Sequence, residues 1–155
     1  MTAMQRLSIN DVDPEAYTAV LGLERYVHKG GLDKRLLALV KIRASQINGC
    51  AWCLDMHAAE ARQAGAAQRQ IDLVAAWREA GSLFSQREQA ALAFAEAVTL
   101  ISQAGVSDGV WGDLTAVFDE KETVQLLMAI AAINVWNRMN VAVRTDLPAQ
   151  PAVPD

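Results

Sequence analysis

Cys50 and Cys53 are the only cysteines in this 155-residue chain, and His57 is one of its two histidines. They stand together in "NGCAWCLDMH", a CxxCxxxH arrangement over residues 48–57. Two thiols at this spacing can be a fixed crosslink, a pair of metal ligands, or a dithiol that opens and closes. An imidazole beside them bears on the last two, because it can ligate a metal or take a thiol's proton.

Local geometry narrows the choice. Asn48 and Gly49 interrupt the preceding helical pattern, so a new helix is predicted to start at about Cys50. Successive helical residues turn by about 100°, which puts Cys50, Cys53 and His57 within a sector of roughly 60°. Cys53 and His57, four apart, are neighbours on that face. Both sulfurs fall near the first turn, where unpaired N–H groups and the helix dipole favour a thiolate. Positions three apart lie about 5 Å apart at Cα, a separation that a disulfide accepts.

A structural disulfide here would close a single helical turn and constrain little. A zinc site would draw three ligands from Cys50, Cys53 and His57 and lack the fourth. His28 belongs to the end of another predicted helix, and the chain has no second CxxC. Inert core cysteines would have no reason to gather at a helix start beside a histidine. A redox-active dithiol with His57 tuning Cys53 suits all three residues best, and neither a metal nor a cofactor is expected.

The elements that must position these residues are legible. Hydrophobic residues make up 52% of the chain and charged residues 21%, a globular composition sized for one domain. Proline is absent between Pro14 and Pro148, so helix can follow helix. Asp13 before Pro14 is an N-cap, and Ser85 with Glu88 and Asp119 with Glu122 are candidate capping boxes. Glycines at 30–31, 49, 65, 81 and 105 fall where helix C-caps belong. Apolar residues recur at three- and four-residue steps, and no segment alternates as a strand does.

The fold class predicted is all-α, with about seven helices near 14–28, 33–48, 50–64, 67–80, 86–104, 108–118 and 120–144. One domain spans 1–147, and 148–155 reads as a flexible proline-rich tail. The last helix carries Arg138 as the lone charge of its apolar stretch, so it is expected to be buried all round, in the core or at a subunit interface.

Composition also bounds partners. Net charge is −4, pI is about 5.1, and no basic cluster tracks a phosphate backbone, so nucleic acid is not expected. The start of the chain lacks the apolar core of a signal peptide, and the uncharged run 123–137 is short for a bilayer span. No membrane association is expected, and the localisation expected is cytoplasmic, where thiols stay reduced.

"LVKIRASQINGCAWCLDMH" (39–57), with "AWREA" (76–80) and "AIAAINVWNRMNVAVR" (129–144), resembles the alkyl hydroperoxidase D and carboxymuconolactone decarboxylase superfamily. The resemblance runs in the same helix order over nearly the whole chain. It implies an alkyl hydroperoxidase D-like helical domain that assembles as a homotrimer or hexamer. For members with both cysteines it also implies a peroxidase cycle. Cys53, beside His57, would attack the peroxide, and Cys50 would resolve the sulfenic acid as a disulfide. An external dithiol reductant such as a dihydrolipoyl protein would restore both thiols.

The function expected is therefore a cysteine-based hydroperoxide reductase or thiol–disulfide oxidoreductase. A lactone enzyme of the carboxymuconolactone decarboxylase kind and a non-enzymatic redox sensor are the alternatives; decarboxylase members generally lack the cysteine pair. One position departs from the alkyl hydroperoxidase D pattern. The glutamate that precedes the first cysteine by twelve residues is Ala38 here, and alanine passes no proton. Glu60, a turn beyond His57, and Glu24 on an earlier helix are the candidates to complete a proton relay. Ser45, Gln46 and Asn48 match the family string and are expected to line the pocket or to satisfy backbone groups there. Trp52 is expected to point away from the cysteine face, and Trp77, Trp111 and Trp136 to pack in the core or an interface.

Overall fold

The computed structural model describes residues 4–153. The elements run α1 Ile9–Val12, α2 Pro14–Lys29, α3 Lys34–Asn48, α4 Ala51–Gln63 and α5 Gln68–Leu73. Two 3₁₀ turns, Val74–Glu79 and Gly81–Leu83, lead to α6 Gln86–Thr99, α7 Ile101–Ala104, α8 Asp108–Thr115 and α9 Glu120–Val143. No strand occurs among the described residues.

Caps set the helix starts. Asp13 Oδ1 accepts from the Ala16 amide at 3.2 Å and starts α2. Ser85 and Glu88 bond each other's backbone amides at 3.1 and 2.8 Å, and Asp119 and Glu122 do so at 2.8 and 3.0 Å. These reciprocal bonds satisfy amides that a helix start leaves open.

Two predicted helices are broken. The segment 67–80 is helical only to Leu73, because Ala76 (φ −118°, ψ 29°) leaves helical geometry and the chain tightens into 3₁₀ turns. That tightening places Val74 and Trp77 in the core. The segment 86–104 breaks at Leu100 (φ −98°, ψ 34°), and α7 ends at Gly105 with φ +64°. The short α1 adds a turn before Pro14 that periodicity does not signal. Residues 148–153 carry no regular secondary structure; residues 1–3 and 154–155 lie outside the described residues.

The central helix is α3 rather than α9. Leu36 to Ile42 are all buried, and α3 supplies all three apolar clusters. Leu36 and Val40 join Phe94, Leu114 and Ile130; Leu39 and Ile42 join Ala61, Val74 and Phe84; Ala44 joins Cys50, Cys53 and Ile133. Each large aliphatic side chain so enclosed stabilises the fold by about 2 kcal/mol.

Within a single chain α9 is buried along one side and not all round. It is long and apolar enough, by length and composition, to cross a membrane, yet only 33% of its most apolar stretch is buried. Leu126, Ala129, Ile130, Ile133 and Asn137 face the core, whereas Val124, Leu127 and Val141 are exposed. Ala-rich spacing let α9 look uniform in sequence while packing against α2, α3 and α6 along one side.

Candidate active site

Gly49 makes the turn that delivers the cysteines. It sits in the left-handed region (φ +67°, ψ 34°), and the Cys50 amide returns to the Ser45 carbonyl at 3.0 Å, closing α3. Cys50 becomes the N-cap of α4, its sulfur 3.3 Å from the Cys53 amide. Cys50 and Cys53 form a disulfide with Cα atoms 5.4 Å apart, and both are 1% exposed.

Beside the pair lies a cavity of about 270 Å³, enough for a small organic molecule. Cys53 and His57 line it, together with Tyr17, Leu21, Met56, Trp52 and Trp136; Glu24, Arg25, His28 and Lys41 supply its charged and titratable groups. Cys53 is thus the cysteine on the cavity. Trp52 packs against the cysteine cluster and also lines the cavity. Trp136 lines the same wall, stacked edge-on with Tyr17 at 5.2 Å. Trp77 is buried, whereas Trp111 is 47% exposed and only leans edge-on against Phe94.

Both relay candidates reach the cavity's polar groups. His57 Nδ1 and Glu60 Oε2 are 2.6 Å apart. Glu60 Oε1 and Glu24 Oε2 each stand 3.7 Å from Lys41 Nζ, and Glu24 Oε1 accepts from Trp136 Nε1 at 3.1 Å. Burial pushes the Glu60 carboxyl up, but the hydrogen bond from His57 and the nearby Lys41 ammonium outweigh it. The carboxyl is held below the usual carboxylate range. Glu60 is then an acceptor only, so His57 Nδ1 must carry the hydrogen and donate it. Neutral His57 is left with Nε2 as its proton-accepting nitrogen. Ala38 is fully buried in an apolar cluster and takes no part.

Ser45, Gln46 and Asn48 do not line this cavity and instead satisfy polar groups beside the cysteine turn. Ser45 and Asn48 sit on the side of α3 that meets α9. Asn48 Nδ2 donates to Asn134 Oδ1 and Asn137 Oδ1, both at 2.9 Å, and Asn137 Nδ2 donates to Ser45 Oγ at 2.9 Å. Asn134 also donates to Thr99 Oγ1 at 3.0 Å. Gln46 accepts from Arg43 at 3.2 Å. The asparagine row of α9 continues to Asn140, whose Nδ2 is 3.7 Å from Cys53 Sγ. This ladder fixes α9 against the cysteine turn.

Sequence reasoning passed over Lys41, Tyr17 and Asn140. A charge inside "LLALVKI" was the available signal for Lys41. The three-residue spacing of Asn134, Asn137 and Asn140 was the signal for the ladder.

The carboxymuconolactone decarboxylase family pattern matches residues 14–97. YdfG of Bacillus subtilis, an uncharacterised protein, is 36% identical over 138 residues, 89% of this chain and 93% of its own length. The crystal structure of ATU0492 from Agrobacterium tumefaciens, a protein of unknown function offered as a candidate AhpD of antioxidant defence, superposes with a TM-score of 0.91. It is 41% identical and covers 95% of this chain and 100% of that one. The debrominase Bmp8 superposes at 0.80 with 21% identity, over 91% of this chain and 75% of that one, a likeness of fold alone. The chain belongs to the carboxymuconolactone decarboxylase family, has the alkyl hydroperoxidase D-like helical fold and carries a CxxC pair of its own.

Proposed function

We propose that the protein is a cysteine-based hydroperoxide reductase. The observation that carries this reading is a CxxC disulfide with one sulfur, Cys53, on a cavity that also holds an oriented imidazole. The description of ATU0492, at 41% identity, supports the same chemistry.

In the reduced protein His57 Nε2 takes the Cys53 proton. The thiolate attacks the peroxide, its S–O bond forming as the O–O bond breaks, and gives Cys53 sulfenic acid and an alkoxide. The alkoxide takes the proton held on His57 and leaves as alcohol. The Cys50 thiol displaces water from the sulfenic acid and restores the disulfide. A dihydrolipoyl group, or another dithiol, then reduces the disulfide and is itself oxidised to a disulfide. The sum is ROOH plus dithiol giving ROH, water and disulfide.

The aromatic and aliphatic walls favour an organic hydroperoxide over hydrogen peroxide, since burial of its carbon tail adds about 0.8 kcal/mol per methylene. We also place the protein in the cytoplasm, where a reductant keeps the cycle running. Self-assembly is proposed from the apolar face that α9 leaves exposed, and a homotrimer or hexamer from the family resemblance.

Steady-state assays with cumene hydroperoxide, tert-butyl hydroperoxide and hydrogen peroxide, fed by dihydrolipoamide, test the reading. Turnover with kcat/KM higher for the organic peroxides is expected. Disulfide reduction by dihydrolipoamide with no peroxide consumed would leave the redox-sensor reading in its place.

A further inference from the structure

Lys41 has no task in the proposed cycle, yet it is 1% exposed and lines the cavity. An ammonium is costly to remove from water unless opposite charge compensates it. Compensation comes from two elements at once: Glu24 on α2 and Glu60 on α4, each 3.7 Å from Nζ.

Glu60 divides its two oxygens. Oε1 faces Lys41, while Oε2 meets His57 Nδ1 at 2.6 Å. A rotation that carried the carboxylate off the imidazole would therefore also break the ion pair. Lys41 is fixed in turn, because Glu24 is tied to Trp136 at 3.1 Å and faces His28 at 3.5 Å. Ala38, where the alkyl hydroperoxidase D pattern has its glutamate, precedes Lys41 by three residues on the same helix.

We propose that Lys41 is the positioning residue of the dithiol: its ammonium holds the Glu60 carboxylate against His57 Nδ1. In this arrangement the carboxylate comes from Glu60 on α4 instead of position 38, and the cation on α3 holds it in place. The proposal rests on His57 serving Cys53 as a base. The charged and titratable groups around Glu60 are Lys41 from α3, His57 from its own helix, and Glu24, Arg25 and His28 from α2.

The test uses the full-length reduced chain with Cys50→Ser, so that Cys53 is the lone thiol. Two readouts are taken that need no peroxide turnover: the His57 Nδ1 proton in imidazole-selective NMR, and the pH profile of Cys53 alkylation. Lys41→Met is expected to abolish the downfield Nδ1 proton and slow alkylation at neutral pH by about tenfold or more. Glu60→Gln should do the same, and the double variant should be no slower than the slower single, as expected of residues acting in one chain.

Should Lys41→Met unfold the protein, Lys41→Met with Glu24→Gln removes one charge of each sign, and the same two losses are expected. An unchanged Nδ1 proton and alkylation profile, with only Tm lowered, would make Lys41 a structural counter-ion and overturn the proposal. Multiplying effects of Lys41→Met and Glu60→Gln would overturn it too. Wild-type protein that shows the Lys41 dependence but consumes no peroxide would sink the reductase reading and leave Lys41 in place.

Discussion

Cys50 and Cys53 have different surroundings, and that difference assigns different chemistry to them. Cys53 lines the cavity beside His57, while Cys50 caps α4 behind it. Cys53→Ser is expected to abolish peroxide consumption. Cys50→Ser should still consume one equivalent and then stop with Cys53 as sulfenic acid, trapped by dimedone and read by mass spectrometry. Equal loss of the first oxidation step in both variants would contradict the assignment. The CxxCxxxH spacing made the pair and its imidazole legible in the sequence. The Glu60 contact was legible too, because both partners stand on one helix three residues apart. Lys41 and Trp136 were not, since their partners stand on other helices and only packing brings them together.

Among the elements, the α3–α4 turn stakes its geometry on one residue. Gly49 has φ +67°, and a Cβ there would meet nothing within 4 Å. Gly49→Ala is therefore a backbone effect without a clash, expected to cost about 1 kcal/mol and to lower Tm by a few degrees. A change in Tm too small to measure would show that the turn relaxes.

Next to it, the Asn48–Asn134–Asn137–Ser45 ladder is partly or wholly buried. Asn137→Ala is expected to destabilise by about 1–3 kcal/mol, because Ser45 and Asn48 lose partners. Denaturant unfolding measures it.

Glu96 joins α3 to the 3₁₀ turns, accepting from Arg43 at 2.7 Å, Trp77 at 3.0 Å and Arg78. Burial raises its carboxyl, but Arg78, Arg43 and Trp77 together hold it below the usual value of 4.5. The folded state thus binds this proton later than the unfolded chain. The Glu96 contribution is present above about pH 4.5 and is lost as pH falls through the lower folded value. Unfolding at pH 7 and pH 3.5 should show a smaller pH dependence in Glu96→Gln than in wild type. The caps at Ser85 and Asp119 could be read from spacing alone. The break at Ala76 could not, because the pull of Trp77 into the core, where it meets Glu96, is a tertiary effect that overrides a helical pattern.

At the scale of the whole molecule, α9 decides what the surface can do. Val124 and Leu127 are 51% and 39% exposed on a helix whose opposite side is sealed into the core. Light scattering is expected to return three or six copies of the 16.8 kDa chain, with a dimer as the fallback on base rates. Leu127→Glu should dissociate it, and a clean monomer for the wild type would end the assembly proposal. The proposed cycle draws only on each chain's own Cys50, Cys53, His57 and Glu60. The dissociated variant should therefore keep its first oxidation step.

The central claim is that the dithiol reduces a peroxide rather than merely switching state. Its most direct test is a single turnover, in which reduced protein is mixed with one equivalent of cumene hydroperoxide and quenched with acid. One cumyl alcohol released per Cys50–Cys53 disulfide formed, with alkylatable thiols falling in step, is the predicted result. Disulfide forming only on the timescale of air oxidation, with the hydroperoxide recovered intact, would contradict it.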